Sequence, residues 1–243
     1  SNIALENSNI ERNRASYGGG ISLETGFASK IKGNGIVILR NNEAVLSGGG
    51  IYVYATYTID PLVADPSTVT IENIHLLQNL VVGTVEASGG GIKILSIGRD
   101  DQHPIVLNDL MIHQNTAEYD GAGVSVVGTT IGTIFFNGCN VTNNVAKRFG
   151  GGVQLRNYKA IFQSSNSFSS TRIVSNRAES GGGIYAYNAD GNKLDINMLE
   201  SVLLSNIATK YGGNLQISGE NTMKCDNVTL KKINSYNGQA EYG

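Results

Sequence analysis

The chain is poor in several residue types that mark other classes of protein. Its 243 residues include 3 prolines, 2 cysteines and no tryptophan, and 16% are charged, below the roughly 25% of an ordinary domain. Two cysteines are too few for a disulfide scaffold. No apolar run approaches the roughly 18 residues of a membrane-spanning helix. No basic block accompanies the net charge of −2, so the sequence predicts neither a membrane span nor nucleic-acid binding.

A repeated glycine cluster stands out against this composition. Each cluster is followed by a segment whose first and third residues are apolar, as in Ile51-Tyr-Val-Tyr54. This period of two predicts a strand with one buried face. The clusters, mostly about 30 residues apart, are Gly18–Gly20, Gly48–Gly50, Gly89–Gly91, Gly121–Gly123, Gly150–Gly152, Gly181–Gly183 and Gly212–Gly213.

An asparagine precedes every glycine cluster, and in six copies the residue two positions later is alanine. Asparagine tolerates the left-handed backbone of a sharp bend, and stacked copies can form a ladder of side-chain amides. We therefore expect these amides to point inward or along the stacking axis; asparagines in surface turns are the alternative. The eight predicted ladder residues are Asn13, Asn42, Asn79, Asn115, Asn144, Asn176, Asn206 and Asn234.

A second strand precedes the asparagine. Three copies align without gaps from Val69, Ile105 and Ile134, and each has an internal bend, at Asn73, Asp109 and Gly138. One repeat thus holds about three short strands, and no segment has helical periodicity. Such a repeat buries its apolar face only by stacking on others. The prediction is an all-β, right-handed, single-stranded parallel β-helix of about seven to eight coils. It forms one domain over residues 1–243, a segment of a longer chain or an assembly that stacks end to end.

The glycines and cysteines fit this arrangement. A glycine cluster can make a tight corner with positive φ or cradle a phosphate, but the second needs a helix to follow, and a strand follows here. The alanine after each asparagine suits a narrow inward corner. Cys139 aligns with Ile74 and Leu110, and both Cys139 and Cys225 are expected to be buried free thiols.

The repeat resembles that of the chlamydial polymorphic outer-membrane protein family. The resemblance lies in the apolar-x-x-Asn motif, as in Ile112-x-x-Asn115 and Val141-x-x-Asn144, followed by the glycine cluster and Ile or Val. It covers nearly the whole chain. It implies a parallel β-helix passenger that is exposed at the cell surface and takes part in adhesion.

Two outward columns on the strand after the glycines are the first place to look for a site. They hold no two stacked acids, which polysaccharide lyases and glycosidases of this fold would need. They do hold tyrosines, which suit sugar stacking or protein contact. The possible ligand contacts are Tyr52, Tyr54, Tyr185 and Tyr187.

Loops and sequons supply weaker candidates. Four aspartates in the loops of the second and third coils, Asp60, Asp65, Asp100 and Asp101, could converge on Ca²⁺, although solvated turns are the alternative. The sequons at Asn140 and Asn227 are possible N-glycosylation sites. The three histidines lack metal-ligand spacing, and no cofactor is predicted.

These observations predict an extracellular or cell-surface structural and adhesive module that is not an enzyme. Its expected partners are other surface or matrix proteins, glycans or neighbouring β-helix units. A carbohydrate-active enzyme or a glycan-binding module on the same fold is the alternative.

Overall fold

The computed structural model describes residues 2–26, 28–56, 68–84, 87–97, 103–163, 170–188, 195–219, 227–231, 234–236 and 239–240. Within these ranges the regular structure is entirely β, without a helix. The strands in chain order are β1 Asn2–Glu6, β2 Asn9–Glu11, β3 Arg14–Tyr17, β4 Ile21–Thr25, β5 Ser29–Asn34, β6 Ile38–Arg40, β7 Glu43–Ser47, β8 Ile51–Thr56, β9 Val69–Glu72, β10 His75–Leu77, β11 Leu80–Val81, β12 Ile92–Ile97, β13 Ile105–Asn108, β14 Met111–His113, β15 Thr116–Ala117, β16 Val124–Asn137, β17 Asn140–Thr142, β18 Val145–Ala146, β19 Val153–Gln163, β20 Arg172–Val174, β21 Arg177–Ser180, β22 Ile184–Asn188, β23 Asp195–Leu199, β24 Val202–Leu204, β25 Ile207–Tyr211, β26 Leu215–Gly219, β27 Asn227–Lys231, β28 Asn234–Tyr236 and β29 Gln239–Ala240.

These strands form three sheets, and successive passes of the chain add strands to each sheet in the same order. A 13-stranded sheet holds the strands after the glycines, here called the post-glycine row, and the strands before the first bend. The long strands β16 and β19 belong to both rows. One 8-stranded sheet runs from β2 to β28, and the other from β3 to β29.

Every strand pair described is parallel, and equivalent residues of successive coils pair directly. Ile105 pairs with Val69 on one side and with Ile134 on the other, as the gap-free alignment of the three copies predicted. The stacked parallel sheets are consistent with a parallel β-solenoid. Its two 8-stranded sheets bring the number of coils to eight.

The sequence predicted three strands per repeat, but a fourth short strand follows each ladder asparagine. In the middle coils it spans only two residues, such as Thr116–Ala117. A two-residue strand has no periodicity that a sequence pattern can show. Its inward alanines, which include Ala117, Ala146 and Ala178, form small buried clusters beside the main core, as expected of a narrow corner.

The main core consists of aliphatic columns that run along the direction in which the parallel strands stack. One column of the post-glycine row holds Ile51, Ile92, Val124, Val153 and Ile184, all fully buried. Like side chains pack on like because the repeats are in register, and this removes apolar surface from water along the whole rod.

The sharp corners use left-handed backbone, but not at the ladder asparagines. The first glycine of each cluster has positive φ, for example Gly121 at 56°, and so do the bends at Asn73, Asp109 and Gly138. The expectation that the ladder asparagines adopt this conformation is wrong. The residue just before each of the seven takes it instead: Arg12, Asn41, Gln78, Gln114, Asn143, Ser175 and Ser205.

Candidate functional site

An amide ladder runs along one edge of the stacked parallel sheets. From Asn13 to Asn176, the Nδ2 atom of each ladder asparagine donates to Oδ1 of the asparagine one coil further along, at 2.9–3.0 Å. Six of its members are fully buried, so they point inward as expected. The ladder members are Asn13, Asn42, Asn79, Asn115, Asn144, Asn176 and Asn206.

Each internal amide of the ladder makes four hydrogen bonds. At Asn115, Nδ2 donates to Leu76 O at 2.9 Å and to Asn144 Oδ1 at 3.0 Å. Its Oδ1 accepts from both the backbone N and the Nδ2 of Asn79. A buried amide without partners costs about 1–3 kcal/mol, and this arrangement satisfies all of its donors and acceptors.

Asn234 does not continue the ladder. In the strand pairing Asn234 lies opposite Val202, and Tyr236 lies opposite Leu204. Asn234 therefore lies in the column of Val202 and not in the column of Asn206. The sequence prediction counted Asn234 as an eighth member because it stands before a glycine, but the strand register decides membership.

The two outward columns of the post-glycine row have the predicted register. Tyr52 lies beside Lys93 in one column, and Tyr54 lies beside Leu95 in the next. They are less exposed than expected: Tyr185 is 8% exposed, and Tyr52, Tyr54 and Tyr187 are half-buried. The chain leading into the glycine corner stands beside these columns and makes a groove along them.

Two adjoining cavities form this groove, with volumes of about 480 and about 270 Å³. They share Asp120, Arg148, Gln154 and Arg156 in their walls, so they are contiguous. The remaining lining residues are Tyr17, Leu46, Ser47, Tyr52, Ser88, Lys93, Leu95, Tyr119, Val127, Phe149, Tyr185 and Tyr187. We call this surface the outer groove.

A polar network lies on the floor of the outer groove. Lys93 Nζ donates to Ser88 Oγ at 2.7 Å and to Ser125 Oγ at 3.0 Å. Ser125 Oγ in turn donates to Gln154 Oε1 at 2.6 Å. All four side chains are buried, so the network holds the Lys93 ammonium in place at the groove surface.

Aromatic rings and guanidinium groups form the walls. Arg148 lies over the ring of Tyr119, with 4.0 Å from Cζ to the centroid, and over Phe149 at 4.6 Å. Phe149 stacks on Tyr185 with centroids 4.4 Å apart. Both rings lie against the Arg148 guanidinium, a stacking arrangement that suits this planar, weakly hydrated group. Its Nε approaches Asp120 Oδ1 at 3.9 Å.

The groove environment shifts the pKa of two tyrosines upward. Burial raises the pKa of Tyr52, and the neighbouring Tyr17 adds to the effect. Burial also raises the pKa of Tyr185, against a hydrogen bond with Ser218 that lowers it. Both phenols therefore stay neutral at physiological pH and can donate hydrogen bonds.

The other predicted sites do not join the groove. Asp60, Asp65, Asp100 and Asp101 lie outside the described residues, and so does Cys225. His75 pairs with Met111, and Leu77 pairs with His113, so these two histidines occupy different columns, as predicted. In the ranges given above, no three His, Cys, Asp or Glu side chains group as metal ligands.

The two sequons lie on strands. Asn140 pairs with Met111 and Arg172 in the middle of a sheet, and its side chain is half-buried with a buried Oδ1. The backbone of Asn227 pairs with Asp195. Cys139 is buried as predicted, and its Sγ lies 3.3 Å from Leu107 O.

Sequence reasoning missed one wall of the groove. Tyr17, Asp120 and Phe149 each stand directly before a glycine cluster, and they form one column across the coils together with Ser47, Ser88, Ser180 and Tyr211. The signal was their fixed position before the glycines. The column has no shared chemistry, so no motif drew attention to it.

Comparisons with protein-family models, with curated proteins and with solved structures find no match to the chain. Among the residues described, no helix is long and apolar enough to cross a membrane.

Proposed function

We propose that the chain is a right-handed parallel β-helix that serves as a non-catalytic structural and adhesive module at the cell surface. The observation that carries the proposal is the unbroken amide ladder from Asn13 to Asn206. It couples seven coils into one stiff rod, and such a rod presents outward side chains at fixed spacing. The handedness follows from the strong preference of parallel crossover connections for the right-handed form.

The chemistry of the outer groove supports binding rather than catalysis. The described part of its lining contains one carboxylate, Asp120, whereas glycoside hydrolysis uses a pair of acids. A serine nucleophile with Lys93 as its base would also need free backbone donors for an oxyanion. The nearby N–H groups of Gly89 and Gly91 already donate to Asp120 O and Ala122 O in the next coil.

The proposed surface location rests on the repeat pattern. The Asn-x-Ala and glycine units resemble the chlamydial polymorphic outer-membrane protein repeat, which implies surface exposure and adhesion. N-glycosylation at Asn140 or Asn227 and end-to-end stacking with other β-helix units belong to the same proposal. The proposed partners are surface or matrix proteins, glycans and neighbouring units.

The test combines localisation with an assay for catalysis. Antibodies to the chain should label intact producing cells as strongly as permeabilised ones. The purified chain, incubated with a panel of acidic and neutral polysaccharides, should leave their chain length unchanged and release no unsaturated product. Labelling only after permeabilisation would overturn the surface location. Depolymerisation would favour the carbohydrate-active enzyme instead.

A further inference from the structure

We infer that the outer groove binds an extended acidic oligosaccharide. This inference deepens the proposed adhesive function by giving it a ligand class and a place on the rod.

The length of the groove sets the shape of the ligand. Its lining runs from Tyr17 in the first coil to Tyr187 in the sixth. With neighbouring strands about 4.8 Å apart, this is a surface roughly 24 Å long. A compact metabolite would contact only part of it, so the groove suits a linear chain that lies across several coils.

The charge of the groove selects an anionic ligand. Among the residues that the structure describes, its lining holds three cationic side chains, Lys93, Arg148 and Arg156, and a single carboxylate, Asp120. The whole chain, in contrast, has a net charge of −2. Positive charge is therefore concentrated in a concave surface of a mildly acidic protein, and such clefts focus the field on anions.

Arg156 is the cation best placed to meet a ligand. Its side chain is exposed, and in the part of the chain that the structure describes it has no ion pair with a carboxylate. Its guanidinium lies 5.9 Å from the ring centroid of Tyr187. An incoming carboxylate or sulfate would gain a charge-assisted hydrogen bond without first breaking a salt bridge.

The neutral residues of the groove favour a saccharide over an acidic peptide. Tyr17, Tyr52 and Tyr187 supply ring surface, and Ser47 and Gln154 supply hydroxyl and amide groups, the mixture that polyhydroxylated rings use. A peptide would commonly bind by adding a strand to an open sheet edge. The post-glycine strands that the structure describes from Ile51–Thr56 to Ile184–Asn188 offer no such edge, because each is paired on both sides.

Calorimetry with the full chain tests the inference. The probes are polygalacturonate oligomers, heparin oligosaccharides, neutral dextran oligomers and polyglutamate, each at low and at physiological salt. We expect saturable binding of at least one acidic oligosaccharide that weakens with salt, and no binding of dextran. Failure of both acidic saccharides to bind, or equal binding of dextran or polyglutamate, would overturn the inference.

Matched arginine variants locate the site. Arg156→Gln should weaken the binding of the acidic oligosaccharide at least about fivefold, which is the loss of affinity expected for one charge-assisted hydrogen bond. Arg172→Gln is the control, because Arg172 is also exposed but lies on the sheet of β2 to β28. Circular dichroism verifies that both variants fold. Equal effects of the two substitutions would place binding elsewhere and overturn the inference.

The outcomes separate this inference from the proposed function. Binding accompanied by cleavage of the oligosaccharide would keep the groove as the site and remove the non-catalytic role. Surface labelling without any saccharide binding would keep the structural module and remove the groove as a glycan site.

Discussion

Asn214 accepts a hydrogen bond from Asn206, with 3.0 Å between its Oδ1 and Asn206 Nδ2. In every earlier coil the asparagine of the next coil provides this acceptor. Asn214 occupies the position that the third glycine of the cluster has in earlier coils, since it stacks on Gly183 of the preceding coil. One residue thus replaces a glycine and supplies a polar partner for Asn206, the last of the seven ladder asparagines.

This replacement predicts that two substitutions at equivalent corner positions destabilise the chain by different amounts. Asn214→Gly removes the last acceptor of the ladder and should destabilise the final coils by about 1 kcal/mol. Gly91→Ala should cost more, about 1–3 kcal/mol, because its Cβ would lie 2.6 Å from Gly123 O. Hydrogen exchange at the Asn176 and Asn206 amides and denaturant unfolding measure the two effects. Equal stability of Asn214→Gly and the parent chain would contradict the role of Asn214.

Breaking the ladder in its middle should be strongly destabilising. Asn115→Ala removes the side-chain acceptor of both N–H donors of Asn79 and the donor to the carbonyl of Leu76, and it leaves Oδ1 of Asn144 with only the backbone N of residue 115. We expect a loss of at least about 3 kcal/mol in the free energy of unfolding. Asn9→Ala, at an exposed asparagine on β2, is the control and should change stability by less than about 0.5 kcal/mol. Similar losses of stability in both variants would show that the ladder hydrogen bonds contribute no more than an exposed asparagine does.

The residue before each ladder asparagine has a left-handed backbone conformation. Glycine should therefore be favoured at that position. Ser175 has φ of 56°, which costs about 1–2 kcal/mol for an L-residue. Ser175→Gly should be neutral or slightly stabilising in thermal unfolding. Ser175→Val should lose at least about 1 kcal/mol, since a β-branched side chain is strained at positive φ. A valine variant as stable as the glycine variant would rule out this explanation.

Cys139 should be unreactive in the folded protein. Burial raises the pKa of its thiol to about 12, from 9.0, and the thiolate is the reactive form. In a Cys225→Ser background, a thiol reagent at neutral pH should modify Cys139 only after denaturant is added. Rapid modification of the native chain would contradict the buried position.

The raised pKa of the Cys139 thiol also makes the free energy of unfolding depend on pH. The folded state holds the Cys139 proton more tightly than the unfolded state, so the stabilisation is complete below the ordinary pKa of 9.0 and is lost as pH rises towards about 12. Denaturant unfolding across this alkaline range should show a decline that is shallower in Cys139→Ala. Identical declines would assign the effect to other groups.

The sequence repeat by itself determined the strands, the corners and the inward-facing columns of this protein. Period-two strands, glycine corners and the bends at Asn73, Asp109 and Gly138 all follow from local backbone preference. Residues at the same position of each copy fall in one column, because in-register stacking places them next to one another in successive coils. For this reason the ladder from Asn13 to Asn206 and the burial of Cys139 could be predicted from the sequence alone.

Tertiary structure alone decided how the ends and the outer surface are built. Asn234 looked like a ladder member in the sequence, but pairing with Val202 depends on where neighbouring strands start. Arg148 lies over Tyr119 of the neighbouring coil and over the adjacent Phe149, and no repeated motif connects these side chains. A solenoid imposes its pattern on inward residues, which must fit the same narrow core, and leaves outward residues free to vary. The groove therefore becomes visible only when the coils are stacked.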